Sequence, residues 1–188
     1  GSPREVIDRY LEEDAQKSMI DIEHRNDRKG KGEIKIRKIE LFNEHHEVIT
    51  NSISGQKLII RLHYKCYSDK VFRKCVMSVA VFRNQIPYFN LSTELVDKRE
   101  LRLSGEGYLD FIIPSLPLSQ SIYHLYTYLE SNREIQDWIL SAMELSVVDG
   151  DYYGTGKNYP KAWQGVGVLV KHNWKLNDNE SSFGANRS

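Results

Sequence analysis

From Gly32 onward the chain exchanges apolar and polar residues with a period of two, the pattern of strands that bury one face. Lys57 to Tyr67 alternates most cleanly. Leu58, Ile60, Leu62, Tyr64 and Cys66 share one side, and Ile59, Arg61, His63, Lys65 and Tyr67 share the other. Glu33 to Phe42 changes phase between Ile34/Ile36 and Ile39/Leu41, which predicts a bulge near Arg37 and Lys38. Asn43 to Glu47 reads as a turn, and Cys75 to Phe82 as a strand opposing Met77, Val79 and Val81 to Ser78, Ala80 and Phe82. Arg83 to Pro87 turns the chain into a strand over Tyr88 to Thr93. Tyr108 to Pro114 and Ile122 to Glu130 are two more strands, joined by Ser115-Leu-Pro-Leu-Ser119. Arg133 to Ser141 reads as a helical turn, Met143 to Val148 as a strand, and Gly165 to Leu176 as the last strand.

In front of this pattern, Pro3 to Asp14 places Val6, Ile7, Tyr10 and Leu11 on one helical stripe. Met19 to Gly32 is polar and reads as a linker. The organisation expected is a lead-in over 1–31, a sandwich over 32–176 and a disordered tail over 177–188. Many short half-buried strands separated by turns predict an all-β fold: an antiparallel β-sandwich of the immunoglobulin-like or jelly-roll kind, with a short N-terminal helix.

Composition narrows the function classes. With 188 residues the chain is long enough for one well-cored domain. Lys plus Arg and Asp plus Glu number 26 each, and this balance argues against a dedicated nucleic-acid binder, which needs basic excess to neutralise phosphates. No apolar run approaches the length of a bilayer span, and nothing resembles a signal peptide. The two cysteines, Cys66 and Cys75, are then expected as reduced thiols in strands of a cytoplasmic protein. Gly1-Ser2 reads as a cloning remnant, so the natural start is expected to lie elsewhere.

Reactive chemistry is sparse. Gly154-Thr-Gly-Lys157 lacks the upstream glycine and the following helix of a phosphate loop. The six histidines are scattered or, at His45-His46, adjacent in a turn, so no metal ligand set is expected. No nucleophile–base pair stands out, and no catalytic residue or cofactor is assigned.

The tyrosines carry more. With Tyr123, Leu125, Thr127 and Leu129 facing the core, His124, Tyr126, Tyr128 and Glu130 share the opposite face. Neighbouring strands would add Ser78, Ala80 and Phe82, then Tyr88, Asn90 and Ser92, and also Glu144, Ser146 and Val148. Rings stack on the C–H faces of a pyranose, and its hydroxyls need amide, carboxylate and imidazole partners. The carbohydrate-binding set expected is therefore Ser78, Phe82, Tyr88, Asn90, Ser92, His124, Tyr126, Tyr128 and Glu144. Tyrosine is also simply a good strand residue, and that reading stays open. A second-choice face is the basic strip Arg61, His63, Lys65 and Tyr67.

Several stretches, in order, resemble one family. They are Val6-Ile-Asp-Arg-Tyr-Leu11, Gly32 to Leu41, Ile53 to Leu62, the corner Phe111-Ile-Ile-Pro-Ser-Leu-Pro-Leu-Ser-Gln-Ser-Ile-Tyr123, and Gly165 to Leu176 with its His-Asn-Trp close. Together they resemble the C-terminal carbohydrate-binding domain of Wzt-type ATPases, the nucleotide-binding subunits of O-antigen polysaccharide ABC exporters. Ser121, where the family's corner has Gly, and Cys75-Val-Met-Ser78, less Gly-rich than the family's third strand, depart from it. The resemblance implies a cytoplasmic module at the inner face of the inner membrane. Such a module reads the non-reducing end of lipid-linked O-polysaccharide, often modified, and couples chain completion to export. It also implies a transmembrane permease as partner and a homodimer, with exchange of the C-terminal strand as one form. ATP and Mg would be bound only by an upstream ATPase domain. A structural or dimerisation module without glycan binding is the alternative.

Overall fold

Aliphatic side chains on the inner faces of two sheets meet in a single core. A computed structural model describes residues 19–158 and 167–175, so the helix expected over 3–14 and the tail expected over 177–188 lie outside the described residues. The strands are β1 (Met19–Asp21), β2 (Ile34–Phe42), β3 (Asn51–Ile53), β4 (Leu58–Cys66), β5 (Phe72–Arg83), β6 (Ile86–Ser92), β7 (Leu101–Leu103), β8 (Glu106–Ile113), β9 (Ser121–Ser131) and β10 (Glu134–Val148). One helical turn, α1 (Thr93–Val96), follows β6. The four-stranded sheet runs β1-β2-β4-β8, and the larger one runs β3-β10-β9-β5-β6 with β7 also on β5. Pairing is antiparallel except between β3 and β10. This is the expected β-sandwich.

The inward phase matches the alternation. Ile60 and Leu62 of β4, Met77, Val79 and Val81 of β5, and Tyr123, Leu125 and Leu129 of β9 are fully buried. Each such aliphatic contributes roughly 1.5–3 kcal/mol by leaving water. The register shift between Ile36 and Lys38 is the expected bulge, and it lets Ile36 and Ile39 both face inward. Tyr123 enters the core completely because its hydroxyl donates to the Ser119 carbonyl at 2.9 Å, the hydrogen bond typical of tyrosine corners in sandwich folds. Both cysteines are free and buried, and burial raises their thiol pKa values, which leaves them inert.

Three expectations are corrected. Arg133 to Ser141 is not helical: it belongs to β10, a strand of 15 residues. Register shifts between Ile135 and Asp137 and between Ile139 and Met143 break the period of two, so the buried positions acquire a helix-like spacing. Met19 to Gly32 is not a linker. Its β1 pairs with β2, Ile22 is fully buried, and Lys29 exchanges backbone hydrogen bonds with Trp138. What holds it is charge: Asp137, 1% exposed, accepts the Ile36 N–H at 2.8 Å and lies 3.5 Å from Arg28 Nη1. Arg28 Nη2 in turn donates to the Ile22 and Ile36 carbonyls at 2.6 and 3.1 Å. Burial raises the Asp137 pKa, against the pull of that N–H and of Arg28.

Finally, the described part of the expected last strand, residues 167–175, is not a strand. It touches the sandwich through a bridge between Val168 and Leu118 and a hydrogen bond from the Leu169 N–H to the Pro117 carbonyl.

Candidate functional site

Register turns the outer face of the larger sheet into three rows. Across the first, Ser92 pairs with Ser78, Ser78 with Tyr128, and Tyr128 with Trp138. Across the second, Asn90 pairs with Ala80 and Ala80 with Tyr126. Across the third, Phe82 pairs with His124 and His124 with Glu144. Rows are separated by two residues, about 6.6 Å, which is close enough for rings to touch diagonally.

They do touch. Phe82 and Tyr126 stack with centroids 4.1 Å apart and planes 12° from parallel. Tyr128 meets Trp138 edge-on at 6.3 Å, and the Lys29 ammonium lies 5.3 Å from the Trp138 ring centroid. The result is a half-buried aromatic platform, with small residues at Ser78 and Ala80 on β5.

Polar groups flank the rings. Tyr128 donates to Glu130 Oε2 at 2.7 Å. Burial, that acceptor and the nearby Glu94 charge push the Tyr128 phenol up to about 12, so it remains a donor at physiological pH. His124 Nδ1 and the Ser141 hydroxyl are 3.0 Å apart, and Ser141 is held there by the β10 bulge, at φ 50°. Asn90 and Glu144 are exposed at opposite margins.

Most of the expected set thus lies on one face: Phe82, Asn90, His124, Tyr126, Tyr128 and Glu144. Ser78 and Ser92 share it as floor, only 8% and 6% exposed. Tyr88 does not join. A register shift between Val81 and Phe82 gives β6 an extra residue, and Tyr88 turns to pack edge-on against core Tyr123 at 5.4 Å. Trp138 was hidden by the helical reading of its segment. The signal for it was Asn132-Arg133, which has φ of 53° and 66° and forms the two-residue turn joining β9 to β10.

The basic strip on the other sheet is also assembled, but its members are paired. Arg61 grips Asp110 with two hydrogen bonds of 2.7 and 2.8 Å, while its guanidinium sits 3.9 Å from the Tyr108 ring centroid. Glu40 takes His63 at 2.6 Å and Lys38 at 2.7 Å. Burial would raise the Glu40 pKa, yet these two hydrogen bonds outweigh it and the net direction is down. Lys65 pairs with Glu106 at 2.6 Å, and Tyr67 donates to Glu23 at 3.0 Å. Among the described residues no group of three His, Cys, Asp or Glu side chains is placed to hold a metal ion, and no helix is long and apolar enough to cross a membrane.

Residues 25–159 match the family described as the Wzt C-terminal domain. Among solved structures, the crystal structure of the C-terminal domain of wzt superposes with a TM-score of 0.65 at 13% identity. That likeness of fold covers 84% of this chain and 96% of the other. A beta-glucosidase from Listeria innocua matches at a TM-score of 0.34 and 13% identity over 58% of this chain and 16% of its own, a likeness too slight to bear on function. Among curated proteins none matches.

Proposed function

We propose, because the chain belongs to the Wzt C-terminal domain family, that it serves an O-antigen polysaccharide ABC exporter as a non-catalytic carbohydrate-binding module. In this reading it works at the cytoplasmic face of the inner membrane, beside the permease. It holds the non-reducing end of lipid-linked O-polysaccharide and thereby couples completion of the chain to export. ATP and Mg belong to an ATPase domain of the same transporter.

The observation that carries the reading is the aromatic platform. The Phe82–Tyr126 stack and the Tyr128–Trp138 pair gather aromatic surface on one side of the sheet, flanked by a phenol donor, an imidazole, an amide and carboxylates. Apolar C–H faces of a sugar settle on such rings while its hydroxyls exchange hydrogen bonds with the margin. Such a surface binds and orients.

Calorimetric titration with O-polysaccharide from the source organism tests this. Wild type binds, and Tyr126→Ala loses about tenfold or more in affinity, roughly 1.4 kcal/mol, with its melting temperature little changed. Equal affinity in wild type and variant would remove the platform from the binding site.

A second reading has its own observation. Leu95, Val96 and Ile112 are 70%, 86% and 57% exposed and lie around an open groove of about 620 Å³ between the β6–α1 segment and the free edge of β8. Apolar side chains beside an unpaired strand edge suit an interface between copies. Light scattering that found a tight dimer with no glycan affinity would favour a dimerisation module.

A further inference from the structure

The platform does not end at Tyr128. Along the outer phase of β9 the next residue is Glu130, which accepts the Tyr128 hydroxyl and pairs across the sheet with Val76 of β5. Both line an open groove of about 820 Å³ whose other walls include Lys74, Glu94, Lys98 and Arg133. Glu94 lies close enough for its charge to raise the Tyr128 pKa, so groove and platform adjoin.

Two features mark the groove as more than a solvated margin. Two of its residues take left-handed backbone positions: Lys74 stands at a β5 irregularity with φ 46°, and Arg133 stands in the tight β9–β10 turn with φ 66°. Four of its charges are also unmatched, whereas Asp97 pairs with Arg99 and Glu100 with Arg102. Among the described residues, Lys74, Glu94, Lys98 and Arg133 form no ion pair, although both signs face one space. Lys and Arg can only donate hydrogen bonds and ionised Glu can only accept them, whereas a sugar hydroxyl does both. A ring of mixed signs suits uncharged, hydroxyl-rich units better than an anionic polymer.

We propose that the Lys74–Glu94–Lys98–Arg133 groove is a second saccharide subsite, occupied by further hydroxyl-rich units of the glycan chain whose neighbouring units rest on the Phe82–Tyr126–Tyr128 platform. The inference rests on the carbohydrate-binding reading above and extends it. Val76 and Phe82 are six residues apart on β5, about 20 Å at the rise of a strand. The protein therefore reads several consecutive units rather than a lone terminal sugar.

The test uses a ladder of mono- to octasaccharide fragments, made by partial hydrolysis of the source organism's O-polysaccharide and titrated into the protein. Affinity in wild type is expected to rise with fragment length and then level off. The double variant Lys98→Ala/Arg133→Ala, both exposed and free of intramolecular ion pairs, loses about tenfold on the longest fragment. It leaves the shortest bound fragment unaffected, and Lys98→Gln/Arg133→Gln, which keeps donors, recovers part of the loss. Binding independent of length, or a double variant equal to wild type on the longest fragment, overturns the second subsite and leaves the platform standing. If no fragment binds wild type, the carbohydrate reading itself falls; if Tyr126→Ala binds every fragment as wild type does, the platform leaves the binding site; either result takes the subsite with it.

Discussion

The two outer faces of this sandwich use their polar groups differently. On the four-stranded sheet, Arg61, His63 and Lys65 each meet a carboxylate, and Tyr67 donates to a fourth. On the larger sheet, rings meet rings, and Asn90 and Glu144 stand exposed at the margins. A face whose charges satisfy each other must break its own hydrogen bonds to hold a ligand. The exposed part of a ring gives up only water. The difference teaches that charge on a strand is poor evidence of a site until its partners are known.

The strongest way to break this comparison is Trp138→Ala. A half-buried ring in a binding face is worth about 2–4 kcal/mol on truncation, so glycan affinity should fall at least 30-fold in calorimetry. Undiminished binding would equalise the two faces.

Next is Glu40→Ala on the opposite face, expected to lower stability by about 1–3 kcal/mol in urea unfolding near neutral pH and to leave glycan affinity unchanged. The sign with pH follows from its lowered pKa. The contribution of Glu40 is present above its unfolded-state value and is lost as pH falls through the lower folded value. The gap between wild type and variant should therefore close on acidification, and a gap that widened would contradict the pairing.

A smaller effect sharpens the platform: ultraviolet titration should place the Tyr128 phenol near 12, and Glu130→Gln should bring it down by removing the charged acceptor. A value in Glu130→Gln equal to wild type would mean that Glu130 does not hold the hydroxyl. The smallest is Lys65→Ala. Its ion pair with Glu106 is 34% and 55% exposed on the two sides, so its stability cost is below about 1 kcal/mol and its effect on binding nil. A clear loss of glycan affinity in Lys65→Ala would return the basic strip to consideration.

Much of the face was legible because β9 alternates without interruption from Tyr123 to Leu129, so placing Leu125 inside places Tyr126 outside. Tyr88 and Trp138 were misread for one shared reason. Each lies beside an irregularity, one in β6 and one in β10, and an extra residue in a strand reverses the faces beyond it. The segment from Ile22 to Gly32 looked unstructured because its anchor, Asp137, lies more than a hundred positions away.

The amino-acid sequence by itself determined the two-sheet architecture, the inward set of Ile, Leu, Val and Met, the inward phase of Tyr123 and the bulge at Arg37, because burying one face of a strand is a local, period-two requirement. Only the tertiary structure decided which strands are neighbours, and so which rings stack and which charges meet. Bulges and ion pairs join residues far apart in the chain, and their cost or gain exists only once the backbone has brought them together.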